Sequence, residues 1–286
     1  MKQLAIAFLL TWIGTNGFAQ KADQVLARVS YTYTQKDDTL KNGKAISHNM
    51  LLFVGKNASL YTSFDKIRHE IAEDQKFRAM IANRAGSNKP VAFVTDANAT
   101  NWMYRTSYFY FAQENRLFGK EFISLQSYLY EEKVPEIKWQ ITKDTTSFSG
   151  VHCQKATASF EGKNWTAWFA PSLPFRYGPW KLNGLPGLII EAYDESKDTA
   201  YRFAGIADAK EGDFQRIDDI RKRPDSRPGD MNAIDQMIGI DVSGAYFENI
   251  IKLPTNAVKT TKKELDNLRA AFQKDPRGFV KAQSGF

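Results

Sequence analysis

Apolar and polar residues alternate along most of the chain as far as about residue 206, in the period-two manner of antiparallel strands. In the first run, one face of the predicted strand carries Val25, Ala27, Val29, Tyr31 and Tyr33. The other face carries Arg28, Ser30, Thr32 and Thr34. Other strands are predicted at Met50–Val54, Leu60–Phe64, Val91–Thr95, Trp102–Phe111, Ile137–Ile141, Val151–Phe160, Trp165–Phe169, Leu188–Tyr193 and Ala200–Ile206.

Two pairs of these strands are predicted to form hairpins. Met50–Val54 and Leu60–Phe64 are joined around residues 55–57, and Val151–Phe160 and Trp165–Phe169 across residues 161–164. The number and spacing of the strands predict a mainly β fold, either a curved antiparallel sheet or a sandwich or open barrel.

Two stretches have helical periodicity instead. Residues 65–85 carry apolar side chains at helical spacing, which predicts a helix that docks on its own sheet. Near the C-terminus, Thr261 to Glu264 form a capping box in front of Leu265, Leu268 and Phe272. The predicted organisation is a leader at 1–19, a β-rich domain at 20–208 with the inserted helix, and a loop with a mainly helical extension at 209–286.

The N-terminus has the pattern of a secretory signal peptide. Lys2 supplies a positive charge, an apolar run follows from Leu4 to Ile13, and Gly17 and Ala19 are small residues at the −3 and −1 positions. We therefore expect export, with cleavage after Ala19, to the periplasm or the exterior. No later segment is apolar enough to predict a transmembrane helix, since a span needs about 20 residues.

Composition narrows the possible partners. The 286 residues carry a formal net charge of +7, but basic residues alternate with acidic ones instead of forming blocks. Together with the export signal, this argues against a nucleic-acid partner and favours a mixed, solvated surface. Cys153 is the only cysteine, so no internal disulfide can form.

The most distinctive segment is residues 177–191. Leu185-Pro186-Gly187-Leu188 predicts a type II turn, in which the proline fixes φ at the second corner and the glycine supplies a positive φ at the third. Leu188-Ile189-Ile190 then predicts a strand buried on both faces. The segment does not predict a phosphate loop, because it lacks the Gly-Lys-Ser/Thr ending and precedes a strand.

The same segment resembles the GLPGLI family of exported proteins from Bacteroidetes. The resemblance rests on Gly178-Pro179 and on the string Gly184-Leu185-Pro186-Gly187-Leu188-Ile189, and it extends closely over about residues 137–206 and loosely over 24–64. His152 and Phe169 stand where other rings, tyrosine in particular, are usual. The resemblance implies a β-rich fold and an exported location, and it implies no particular reaction or cofactor.

Cys153 is the first candidate for nucleophilic or metal chemistry. A thiol nucleophile needs a base within hydrogen-bond reach, whereas His48 and His69 lie far away in sequence and the adjacent His152 should point to the opposite face of the strand. A lone cysteine in a β pattern is typically a small buried apolar residue. The methionines form no Met-x-x-Met cluster, which weakens a copper-handling role, and no metal site is predicted.

Glu191 interrupts an apolar run and is the candidate carboxylate. It could face a cavity with Lys155 or Lys181, or simply mark the point where the strand emerges into solvent. These residues and Cys153 form the possible reactive or polar site, and the sequence predicts no catalytic residue.

Aromatic residues suggest a different role. Trp102, Tyr104, Tyr108, Trp168 and Trp180 are the possible lining of a concave face that holds an apolar or amphipathic small molecule. The sequence thus favours binding, of such a ligand or of an outer-membrane transport complex, over catalysis. A periplasmic enzyme using Cys153 or Glu191 and a copper-handling protein stay open as alternatives, and the oligomeric state is open as well.

Overall fold

A computed structural model describes residues 21–36, 45–69, 72, 76, 79, 106–124, 126–209, 245–246, 249–255 and 257–284. The predicted leader at 1–19, the strand at Val91–Thr95 and the lining residues Trp102 and Tyr104 lie outside these ranges.

The described residues are mostly β, which confirms the predicted fold class. They contain thirteen strands and two C-terminal helices: β1 Asp23–Lys36, β2 Ala45–Gly55, β3 Ala58–Ser63, β4 Thr106–Phe111, β5 Arg116–Ile123, β6 Gln126–Glu132, β7 Gln140–Phe148, β8 Val151–Phe160, β9 Lys163–Ala170, β10 Leu188–Asp194, β11 Thr199–Asp208, β12 Ile250–Ile251, β13 Val258–Thr260, α1 Lys262–Lys274 and α2 Pro276–Ser284. Residues 64–69, 72, 76 and 79 are also helical, in the stretch where the inserted helix was predicted. None of these helices is both long and apolar enough to cross a bilayer.

The strands form one mixed sheet that does not close into a barrel. Its order is β13-β6-β5-β4-β3-β2-β1-β11-β10-β9-β8-β7, and β12 pairs with β1 beside this path. Neighbouring strands are antiparallel except for the parallel pair of β13 and β6. β7 is therefore an edge strand, and the last four positions of the order, β10-β9-β8-β7, form one end of the sheet.

The alternation predicted for the first strand is observed from Ala27 to Tyr33, but Val25 lies before a register shift and packs in a different core cluster. Val29, Tyr31 and Tyr33 are buried and belong to one core cluster, whereas Ser30 and Thr32 between them are half-buried. β2 is covered on both sides, because Leu52 packs in that cluster and Phe53 in a second one. The sheet thus has a core on each face where β1, β2 and β3 meet.

Both predicted hairpins are confirmed. β2 pairs with β3, and β8 pairs with β9 in a register that sets Phe160 opposite Lys163. The connection is shorter than the predicted 161–164, because residues 163 and 164 already pair in β9. The two residues that remain, Glu161 and Gly162, have positive φ values of 48° and 73°. This is the backbone of a type I′ turn, whose twist suits a two-residue hairpin.

The predicted strand at Ile137–Ile141 is wrong in its bounds. Regular pairing begins only at Gln140, because the backbone turns beforehand, with the Trp139 amide donating to the Ile137 carbonyl at 3.1 Å. The Trp139 indole instead donates to the Asn183 carbonyl at 2.8 Å.

The strands β5 and β6 were not predicted by alternation. Lys120 and Glu121 are adjacent in β5, and each is only 1% exposed. Charged residues are normally found at the surface, so a sequence pattern does not predict a buried strand here. Glu121 accepts two hydrogen bonds from the guanidinium of Arg269 on α1, at 2.9 and 2.6 Å. This buried pairing compensates for the desolvation of the carboxylate.

The C-terminal extension packs on this end of the sheet. The predicted capping box is confirmed, with the Thr261 hydroxyl accepting from the Glu264 amide and the Glu264 carboxylate accepting from the Thr261 amide. Leu265 is fully buried in a cluster with Tyr128 and Tyr130.

Candidate functional site

The segment from Pro171 to Gly187, here called the signature loop, joins β9 to β10 and enters the core. Tyr177, Leu182 and Leu185 are at most 3% exposed and belong to the main core cluster. Backbone bonds fix the end of the loop, with the Leu188 amide donating to the Leu173 carbonyl at 3.0 Å and the Ile189 amide to the Tyr177 carbonyl at 2.9 Å. The signature loop is therefore a packed structural element.

The predicted type II turn at Leu185–Leu188 is wrong. Gly187 does not have a positive φ, whereas Gly184 does, at +91°. Gly187 is required for another reason: a Cβ there would lie 2.7 Å from the carbonyl carbon of Ala170, inside van der Waals contact with the backbone. Gly178 is similarly crowded, since its Cβ would lie 2.6 Å from the Leu182 carbonyl oxygen. Gly178 and Gly187 therefore permit close approach of neighbouring backbone segments. The strand that follows, at 188–190, is fully buried, as predicted.

Two of the predicted lining residues, Tyr108 and Trp180, meet around Lys181. The Lys181 ammonium lies 5.4 Å from the Tyr108 ring centroid and 5.6 Å from that of Trp180, and it forms an ion pair with Glu132. Burial lowers the pKa of Lys181, but the hydrogen bond to Glu132 and the nearby anions outweigh burial and raise it overall. Because Tyr108 is buried, this is a packed polar cluster of the interior.

Cys153 lies in the main core cluster and is fully buried. Burial, followed by the negative charge of Glu191, raises the pKa of the thiol to about 11. The adjacent His152 is exposed. Among the described residues, no group of three His, Cys, Asp or Glu side chains could hold a metal ion.

The remaining predicted residues come together on the exposed face of β8, β9 and β10. Trp168 is paired across the strands with Lys155 on one side and Glu191 on the other. Lys155 bonds to Asp144 at 3.3 Å, and Lys181, far from this face, does not join them. Desolvation raises the pKa of Glu191, although Arg202 and Lys197 act in the opposite direction.

A second row of side chains runs parallel to this one. Gln140, Thr157, Thr166 and Tyr193 are successive cross-strand partners on β7, β8, β9 and β10. Strands lie about 4.8 Å apart, so the row is about 14 Å long. Thr166 and Trp168 are two residues apart on β9, and the two rows therefore share one face of the sheet.

An open groove of about 630 Å³ lies along the second row. Gln140, Thr157, Thr166 and Tyr193 line it, together with Ser159 and Asn164 near the β8–β9 turn, and it is also bordered by the buried Ala158 and Trp165. Its ends carry Lys138 and Glu195, which are both exposed. We call this feature the β7–β10 groove.

A hydrogen-bond chain holds the polar side of the groove in place. The Ser159 hydroxyl donates to the Asn164 side-chain oxygen at 2.7 Å, and the Asn164 amide group donates to Glu195 at 3.0 Å. Next to it, Lys163 donates to Asp194 at 2.6 Å and to the Thr199 hydroxyl at 2.6 Å.

The signature loop and the groove occupy opposite faces of β9. Trp180 of the loop packs against Trp165, with ring centroids 6.0 Å apart. The neighbours of Trp165, Asn164 and Thr166, point to the groove side because successive strand residues alternate.

The sequence reading singled out none of Gln140, Thr157, Asn164, Thr166 and Tyr193. A usable signal was present: counting back from the two-residue turn at 161–162 sets Thr157 opposite Thr166. Of the predicted lining residues, Trp168 lies on this face, whereas Tyr108 and Trp180 lie in the Lys181 cluster.

Comparisons with known proteins give little further information. No protein-family model matches the chain, and no curated protein matches it. Among solved structures, the chain is similar to PNGF-II in two crystal forms, with TM-scores of 0.47 and 0.44 and sequence identities of 9% and 11%. The matches cover 85% and 74% of this chain and 32% of each PNGF-II chain, so this chain spans about a third of their length.

Proposed function

We propose that this protein is an exported binding protein that holds an amphipathic ligand in the β7–β10 groove. The groove itself is the observation that carries the proposal. Its volume of about 630 Å³ falls within the range of about 300–1,000 Å³ typical of small-molecule sites. It also combines an aromatic ring, Tyr193, with hydroxyl and amide groups, which suits a ligand with both apolar and polar surfaces.

Binding accounts for these residues better than catalysis does. Between Lys138 and Glu195 at its ends, the groove presents hydroxyl and amide side chains, which form hydrogen bonds without changing protonation state near neutral pH. Cys153 is buried with a raised pKa, and the nucleophilic form of a cysteine is the thiolate. Glu191 and Lys155 stand on opposite sides of Trp168, two strand spacings or about 10 Å apart, which is too far for direct proton exchange.

Location and partners belong to the same proposal. The N-terminal pattern and the GLPGLI resemblance support export to the periplasm, where the protein would bind its ligand. The proposed protein partner is an outer-membrane transport complex. The ligand-bound protein would transfer its ligand to that complex.

The test is native mass spectrometry of protein isolated directly from the exported fraction of its source. We expect an added mass on the wild type. Thr157→Trp, which fills the groove, should lose that mass, whereas Lys143→Trp, an exposed position on β7 outside the groove, should keep it. Equal masses for the wild type and the filled variant would reject the groove as the binding site.

A further inference from the structure

The charges around the β7–β10 groove argue for a neutral ligand. Of the described residues that line it, Lys138 and Glu195 are the ionised ones, and their charges cancel. An anionic ligand such as a phosphate group would meet the Glu195 carboxylate beside the Asn164 amide that it would need. Binding of an anionic group is therefore opposed at the polar end of the groove, and the Lys197 ammonium near the Tyr193 ring opposes binding of a cationic one.

The hydrogen-bonding groups of the groove are matched to hydroxyls. Thr157 and Thr166 each offer a hydroxyl that donates and accepts, and the Gln140 carboxamide provides both functions. Asn164 is already oriented by Ser159 and Glu195, and its amide group retains a second hydrogen for a ligand. A ligand with many hydroxyl groups, each both donor and acceptor, can satisfy this set.

The groove also offers a ring against which a flat apolar surface can pack. Tyr193 is half-buried at the end of the row, and the Lys197 ammonium lies 5.4 Å from its ring centroid, which restrains the ring. Trp168 is the diagonal neighbour of Tyr193 on the same face, because Thr166 faces Tyr193 and Trp168 faces Glu191. Aromatic surface therefore continues beyond the groove toward the row of Lys155 and Glu191.

We infer that the β7–β10 groove binds a neutral carbohydrate, most simply a short oligosaccharide lying across the strands. This rests on the proposed function and names its ligand class. A sugar ring has an apolar C–H face for Tyr193 and a rim of hydroxyls for the threonine, glutamine and asparagine groups. The row of about 14 Å gives room for more than one ring, and the groove opens at the sheet edge because β7 is the last strand. A fatty-acid tail fits less well, since it would leave these polar groups unpaired.

The test uses the purified protein and four defined probes: maltotetraose, cellotetraose, xylotetraose and N-acetylchitotetraose. Saturation-transfer NMR detects binding, and calorimetry measures the dissociation constant. We expect at least one probe to bind. Tyr193→Ala should weaken that binding about tenfold or more, and Tyr193→Phe should retain most of it because the ring remains.

Two further variants separate recognition from folding. Asn164→Ala should also weaken binding, whereas Lys143→Ala, on β7 but outside the groove, should leave it unchanged. Each variant is checked for an unchanged circular dichroism spectrum and denaturation midpoint, so that a loss of binding cannot reflect unfolding. Binding that survives Tyr193→Ala and Asn164→Ala would overturn the inference.

The inference and the proposed function fail in different ways. If none of the four probes binds, or if the mass held by the isolated protein is a lipid or a peptide, the carbohydrate assignment is overturned. The proposed function survives that result as long as Thr157→Trp removes the bound mass. If Thr157→Trp leaves the mass in place, the groove is not the site and both fail.

Discussion

The signature loop and the β7–β10 groove lie on opposite sides of the same strands, and they differ in almost every property. The loop inserts Tyr177, Leu182 and Leu185 into the core, although other residues of it are exposed, and backbone hydrogen bonds hold its end in place. The groove is open and is built from threonine, glutamine, asparagine and tyrosine. The loop is the most distinctive segment of the sequence because few residue types fit at its closely packed positions. The groove leaves a weak pattern because its residues are ordinary ones for an exposed strand face.

The comparison separates residues that specify the fold from residues that are available to a ligand. Gly187 and Leu185 are buried and contact only other parts of the protein, so changing them should alter the free energy of unfolding. Thr157 and Tyr193 face solvent on one side, so changing them should alter binding with little effect on stability.

The largest effect is expected in the loop core. Leu185→Ala should lower the free energy of unfolding by about 2–5 kcal/mol, because a 1% exposed leucine is replaced by a cavity. The matched change in the groove, Thr157→Ala, should stay within about 0.5 kcal/mol. Urea denaturation of both variants measures the difference, and equal costs would remove the distinction between the two regions.

Gly187→Ala should cost up to about 3 kcal/mol, since its methyl group would overlap the rigid backbone at Ala170 and the chain must shift. The control is Gly184→Ala, where the added Cβ meets open space and only the positive φ opposes it, at about 1 kcal/mol. Denaturation midpoints decide the order. If Gly184→Ala proves the more harmful change, the close-approach explanation for Gly187 is wrong.

A smaller, pH-dependent effect is expected beside the groove at Asp194. Burial raises the pKa of this carboxyl, but hydrogen bonds from Lys163 and the Thr199 amide outweigh burial and hold it below its ordinary value. A depressed folded-state pKa contributes stability that is present above the unfolded value and is lost as the pH falls through the folded one. The stability difference between wild type and Asp194→Asn should therefore shrink as the pH falls below about 4, the ordinary value for an aspartate, and through the lowered folded-state pKa. A difference independent of pH would contradict this assignment.

The smallest expected effect is at Cys153. The buried thiol, with its pKa of about 11, should react with iodoacetamide at neutral pH only after denaturation. Cys153→Ala should keep the bound mass seen in native mass spectrometry. Rapid alkylation of the native protein, or loss of the ligand in Cys153→Ala, would return the thiol to consideration as a functional group.

Much of the fold follows from local sequence patterns. Alternation predicted most of β1, the polar residues at 161–164 predicted the β8–β9 hairpin, and the capping box predicted the start of α1, because each of these signals lies within a few residues. β5 was missed because the compensation for Glu121 comes from Arg269, a partner 148 positions away. The turn at Gly187 was misassigned for a similar reason, since a glycine that permits close approach to a distant backbone looks the same in sequence as one with a positive φ.

The candidate site was less predictable than the fold. Lys155 and Glu191 were predicted as members of one possible polar site and Trp168 as part of a different one, and only the strand register sets Trp168 between the other two. The groove needs the register of four strands at once, and an error of one residue moves every side chain to the other face.

The most direct test measures ligand occupancy and stability together in two variants, Leu185→Ala and Tyr193→Ala. Native mass spectrometry under folding conditions gives the bound fraction, and urea denaturation gives the free energy of unfolding. We predict that Leu185→Ala has a lower free energy of unfolding than the wild type but the same ligand-bound fraction. We predict that Tyr193→Ala has the free energy of unfolding of the wild type but a lower ligand-bound fraction. A folded Leu185→Ala without ligand, together with a fully loaded Tyr193→Ala, would contradict the account and transfer the binding role to the signature loop.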